Sequence, residues 1–129
     1  MEVKVCIDTN IYAYMCRGNA EIIELLETAN EIIMPVVVIG ELFAWFYQGR
    51  RYKQNIALLN SFLGKTGVTV VSIDKDIAER YGAIVKDLKN NGTPIPTNDI
   101  WIAATAMQTG SKLFTKDEHF KLVPGILLV

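Results

Sequence analysis

The chain has 129 residues, half of them hydrophobic and 21% charged, with a formal net charge of −1. That composition excludes a disordered chain, and the length suits one domain over residues 1–129, burying roughly two-thirds of its unfolded surface. The longest apolar stretch, Ile32 to Tyr47, holds Pro35 and Glu41 and is too short to span a bilayer; no secretory signal is read at the N-terminus, so a cytoplasmic location is expected.

Strand and helix signals alternate. Val3–Ile7 is a short β-branched run, expected as a central strand buried on both faces. Cys6 within it and Cys16 in a following helix lack metal-finger spacing and are expected as buried, reduced thiols. Asn19 caps an expected helix over 20–29, with Ile22, Ile23, Leu25 and Leu26 as its apolar stripe. Glu31–Met34 reads as a second strand, stopped by Pro35. From Val37 to Gln48 the pattern is helical and apolar nearly all round, implying deep burial, with Gly49 as the stop. A helix beginning near Arg50 carries Ile56, Leu58, Leu59, Phe62 and Leu63, and Val68–Val71 follows as a third strand. Asp74 caps a helix reaching Lys89, with Ile77, Tyr81, Ile84, Val85 and Leu88 on one face; residues 90–94 form a turn cluster. A helix over 98–109 ends at Gly110, Lys112–Thr115 is a fourth strand, and Ile126–Val129 is a candidate fifth. This alternation specifies an α/β fold: a three-layer sandwich with a parallel four- to five-stranded sheet and helices on both faces. The mean hydropathy of +0.23 fits such a sheet, or an apolar patch covered by a partner.

Four carboxylates stand where packing alone would not put a charge. Asp8 ends the run 3–7, Glu41 splits the apolar stretch 36–46, Asp99 opens Ile100-Trp101-Ile102-Ala103-Ala104, and Asp117 follows Lys112-Leu113-Phe114-Thr115. A buried carboxylate without a partner is very costly, so such groups are paired or bound to metal. No basic residue adjoins Glu41 or Asp99 in sequence, and a shared divalent cation is the economical answer. In open parallel sheets ligands bind at the carboxyl ends of strands. Asp8 and Asp117 fall directly after strands, and Glu41 and Asp99 lie early in helices that can face the same crevice.

Ile7-Asp8-Thr9-Asn10, Val38-Ile39-Gly40-Glu41-Leu42, Asn98-Asp99-Ile100-Trp101-Ile102-Ala103-Ala104 and Thr115-Lys116-Asp117-Glu118-His119-Phe120 resemble, in order and spacing, the PIN-domain ribonucleases. They resemble in particular the compact toxin nucleases of VapC type. Asp-Thr-Asn alone is weak evidence; four segments in register across nearly the whole chain are specific. The resemblance implies a PIN-like fold, Mg²⁺ or Mn²⁺ held by Asp8, Glu41, Asp99 and Asp117, and Thr115 supporting the site through Asp8 or a bound water. It also implies endoribonuclease activity leaving a 5′-phosphate and a 3′-hydroxyl, a small antitoxin partner and a homodimer. Many members carry a further acid where His119 stands, with Glu118 one place out of register, which touches the second metal's ligands and not the core of four.

Oxygen ligands suit Mg²⁺ and Mn²⁺, and a formal −4 matches two divalent ions. No histidine is needed as base, and His119 is expected to contact solvent or substrate. The bland readings are a helix cap for Asp8, a first-turn acid for Asp99 with Thr97 or Asn98 as cap, and a turn former for Asp117. Arg50, Arg51, Lys53, Lys86, Lys89, Lys116 and Lys121 are expected mostly as solvated surface, with phosphate contact as the functional reading. Arg17 reads as a site-facing cation or an antitoxin contact, and Trp45, Phe46 and Tyr47 as core or partner interface. The net charge carries no nucleic-acid signature, although bound cations would reverse the local field. Two other classes compete: a non-catalytic PIN-like module binding RNA or protein, against which the intact quartet argues, and a phosphate-accepting receiver domain, whose paired acids near the first strand are missing.

Overall fold

Four parallel strands and six α-helices account for most of residues 3–129, the part of the chain that this computed structural model describes. The strands are β1 (Lys4–Ile7), β2 (Glu31–Pro35), β3 (Val68–Val71) and β4 (Lys112–Phe114), ordered β3-β2-β1-β4. Val5 faces Ile32 on one side and Lys112 on the other, which makes β1 an inner strand, as the sequence pattern requires. Its Val5, Cys6 and Ile7 are fully buried.

Helices α1 (Thr9–Cys16), α2 (Ala20–Thr28), α3 (Val36–Tyr47) and α4 (Tyr52–Leu63) connect β1 through β2 to β3. Helices α5 (Lys75–Asn91) and α6 (Thr97–Gln108) carry the chain back across the sheet to β4. Right-handed crossovers put these two groups on opposite faces, giving the expected three layers. Tyr12 of α1 meets Phe62 of α4 edge-on within one layer, and Tyr81 of α5 stacks on Trp101 of α6 within the other. Asn19 and Asp74 cap α2 and α5 through bonds from the Ile22 and Ile77 amides. Gly92 ends α5 with φ of 66°, a left-handed conformation that suits glycine.

Four local expectations are corrected. Ile126–Val129 is not a strand: only Leu128 bridges to Leu113, because the turn at Pro124-Gly125 delivers the chain to a three-residue edge strand that it crosses once. Helix α3 is not deeply buried along its length. Val38, Ile39 and Leu42 face inward, but Trp45 is 48% and Tyr47 65% exposed, since a helix of period 3.6 turns only one stripe to the sheet. Leu58 is likewise off the stripe of α4 and exposed, beside fully buried Leu59. Cys16 sits exposed at the end of α1; Cys6 is buried, and desolvation pushes its thiol far above the usual range.

Leu59→Ala should therefore destabilise the fold by about 2–5 kcal/mol, and Leu58→Ala by less than about 0.5 kcal/mol. Urea unfolding of the two variants checks this; equal losses would place the α4 stripe wrongly. Among the described residues no helix is long and apolar enough to cross a membrane.

Candidate active site

Reversal of strand order between β1 and β4 opens a crevice at the carboxyl edge of the sheet, the usual ligand position in such folds. Asp8 leaves β1 into this crevice and is 5% exposed. Its Oδ1 accepts a bond from the Ile11 amide at 2.9 Å, capping α1, and its Oδ2 accepts one from Thr115 Oγ1, just past β4. Thr115 Oγ1 accepts in turn from the Asp117 amide at 2.9 Å, so Asp8, Thr115 and Asp117 form one chain across the switch point. Asp117 Oδ1 accepts from the His119 amide at 2.9 Å and starts a short 3₁₀ turn, Glu118–Leu122.

The other two acids arrive from helices. Glu41 lies in the second turn of α3, where its Oε1 accepts a bond from Thr9 Oγ1 at 2.9 Å. Asp99 lies in the first turn of α6, whose start has no side-chain cap, so neither Thr97 nor Asn98 caps it. Helix α6 packs against both α3 and the 3₁₀ turn, bringing Asp99 towards Asp117. His119 Nδ1 stands 3.1 Å from Asp117 Oδ1 and 3.5 Å from Asp99 Oδ2.

The four carboxylates share one electrostatic field. Burial pushes the Asp8 carboxyl above the ordinary carboxylate range; the bonds from Thr115 and Ile11 oppose this, while the charges of Asp117 and Glu41 add to it. Asp99 is raised too, by burial first and then by Asp117, with His119 opposing and Glu41 adding. Asp117 and Glu41 thus act on both Asp8 and Asp99. Among the described residues no lysine or arginine forms an ion pair with any of the four, and His119 is their only basic neighbour at that range. Four carboxylates without a lysine or arginine partner among the described residues, with ligand atoms of Asp99, Asp117 and His119 grouped within 4.8 Å, fit a divalent cation.

Two bland readings hold alongside this geometry, since Asp8 caps a helix and Asp117 shapes a turn. Arg17 is not part of the site: it ends α1 at the opposite end from Asp8, against the Tyr14 ring. A cavity of about 580 Å³ among α1, α2, α4 and β3, lined by Tyr12, Leu26 and Phe62, contains none of the acids.

With this constellation in place, residues 5–126 match the PIN domain family. The chain belongs to that family. This PIN domain is 28% identical over 113 residues to a protein named Ribonuclease VapC1 from Haemophilus influenzae, spanning 84% of this chain and 83% of that one. It is 27% identical over 127 residues to Ribonuclease VapC2 from Rickettsia felis, spanning 95% and 93%. The crystal structure of VapBC2 from Rickettsia felis, bound to a DNA fragment from its promoter, superposes over 98% of both chains with a TM-score of 0.86 at 25% identity.

One residue of this PIN domain joins the site without having been singled out for it in the sequence: Thr9 orients Glu41, and the only sequence signal was its place beside Asp8. His119 is half exposed, as expected, yet its ring faces Asp99 and Asp117. The resemblance had already put position 119 beside the metal ligands; the contact with Asp99 needed the fold, because α6 and the 3₁₀ turn meet only there.

Proposed function

We propose that this PIN domain is a metal-dependent endoribonuclease, the toxin of a toxin–antitoxin pair, with residues 1–129 acting as a single domain. The carrying observation is the convergence of Asp8, Glu41, Asp99 and Asp117 from four separate elements onto one crevice, without a lysine or arginine to neutralise them. Relatives named as ribonucleases over most of their length support the reading.

In this reading the four acids hold Mg²⁺ or Mn²⁺. Such an ion, when bound, neutralises phosphodiester charge and activates water for in-line attack. Water adds to phosphorus as the P–O3′ bond breaks, leaving a 5′-phosphate and a 3′-hydroxyl. The chain's own residues supply the order: Thr115 and the Ile11 amide fix both oxygens of Asp8, Thr9 fixes Glu41, and the His119 amide fixes Asp117. Exposed Lys116, beside Asp117, and Arg50, Arg51 and Lys53 are available to backbone phosphates. A small antitoxin restrains the enzyme by covering the acidic crevice and apolar surface such as Trp45 and Tyr47, and the toxin works as a cytoplasmic homodimer. A non-catalytic binding module would have no use for a charge cluster that costs the fold stability.

The test is purified protein with a mixed RNA pool, in Mg²⁺ or Mn²⁺ against EDTA, beside Asp99→Asn. The expected result is cleavage by the wild type with metal, none with EDTA, and a loss of about 10²-fold or more in the variant. Equal degradation by wild type and variant would mean contamination and would sink the proposal. Retained tight RNA binding without cleavage would favour the binding module.

A further inference from the structure

We propose that His119 is itself a ligand of this centre, giving it a mixed nitrogen–oxygen donor set that prefers first-row transition ions, Mn²⁺ to Ni²⁺, over Mg²⁺. The inference rests on the reading that the acids hold a divalent ion, and it specifies which ions.

Position is the first argument. Nδ1 of His119 lies 3.1 Å from Asp117 Oδ1 and 3.5 Å from Asp99 Oδ2. One ligand atom from each of the three residues falls within 4.8 Å of the others. Neighbouring ligands of an octahedral ion with bonds of about 2.1 Å stand about 3 Å apart, which the separation of His119 from Asp117 matches and that from Asp99 approaches. The backbone that carries the ring is also held in place: the His119 amide donates to Asp117, and the adjoining Phe120 is 1% exposed and anchors the 3₁₀ turn in the core.

Chemistry is the second. The nearest alternative acid, Glu118, turns outward to Lys121 at 2.6 Å, so this corner offers nitrogen and not a fifth carboxylate. Mg²⁺ is bound through oxygen, whereas imidazole is a good ligand for the later first-row ions, whose affinities climb from Mn²⁺ towards Cu²⁺. Ligation requires the ring hydrogen on Nε2 and the Nδ1 lone pair free. His119 is the chain's only histidine, so a nitrogen signal from imidazole has one source.

The experiment loads the full-length protein, without RNA, with Mn²⁺ and records electron spin echo envelope modulation, then titrates Mn²⁺, Co²⁺ and Mg²⁺ by competition. Wild type should show imidazole ¹⁴N coupling, absent in His119→Asn. That variant should lose Mn²⁺ and Co²⁺ affinity about tenfold or more, with Mg²⁺ changing far less. His119→Asp, which supplies oxygen instead, should bring the Co²⁺-to-Mg²⁺ preference down by about tenfold. Thermal melts of both variants, in which the exposed position keeps its amide bond to Asp117, establish that they fold. Metal bound without nitrogen coupling, or unchanged ion preference in folded variants, overturns the assignment and leaves the nuclease reading standing. Nitrogen coupling in a protein that cuts no RNA would do the reverse.

Discussion

Asp8→Asn should abolish cleavage, by about 10²–10³-fold, while leaving the metal-free protein as stable as wild type or more so. Asp8 is 5% exposed, and burial with the charges of Asp117 and Glu41 raises its carboxyl, so its ionised form strains the fold at neutral pH. The substitution removes that charge and keeps the oxygen that caps α1 through the Ile11 amide. The new amide nitrogen can donate to Thr115 Oγ1, whose hydroxyl has a second lone pair beside the one taken by the Asp117 amide. Activity and stability therefore move in opposite directions, as they do where a site stores unfavourable charge for function. RNA cleavage assays and thermal melts in EDTA read the two quantities. A melting temperature lowered by several degrees together with the lost activity would make Asp8 a structural residue.

The second large effect links metal, pH and stability. Asp8 and Asp99 both have folded-state pKa values above those of an unfolded chain. Between the ordinary carboxylate range near 4 and those raised values, the metal-free native state binds more protons than the unfolded state. The stability these protons confer is present at low pH and lost as pH rises through the folded values. Metal-free protein should accordingly become more stable as pH falls through those raised values, ahead of general acid denaturation. Bound metal reverses the trend, because its ligands must be deprotonated. An ion at a hundredfold excess over its Kd should add about 2.7 kcal/mol at neutral pH, shrinking on acidification together with the cleavage rate. Melting curves across pH 5–8 with EDTA and with Mn²⁺ check both signs. A flat rate profile over that range, or parallel stability curves, would remove the metal-linked carboxylates from the mechanism.

Much of this was legible in the linear pattern because burial leaves local marks. A β-branched run such as Val5-Cys6-Ile7 can only be an inner strand, and alternation with amphipathic helices such as Lys75–Asn91 leaves little choice but a parallel sheet. The four acids stood out for the same reason, each being a charge set in or beside an apolar segment. What failed was the facing along α3, expected to be buried nearly all round, and at Leu58 on α4. Trp45, Tyr47 and Leu58 are as hydrophobic as their buried neighbours, and only the neighbouring element decides which of them water reaches. Cys16 shows the same limit, lying at a helix end and not in its middle.

The sequence by itself determined most of the element types and the parallel architecture, and it singled out the four acids as candidates, since each follows from hydrophobic period and from the cost of burying charge. Tertiary structure decided that Thr115 bonds Asp8 directly, one of the two roles the resemblance left open, and it alone decided that Thr9 holds Glu41 and that the His119 ring meets Asp99 and Asp117. Those contacts span up to 107 residues and depend on the strand order β3-β2-β1-β4, which sets β4 beside β1. Side-chain chemistry is written in the chain, whereas the distances between side chains exist only once the sheet has closed around them.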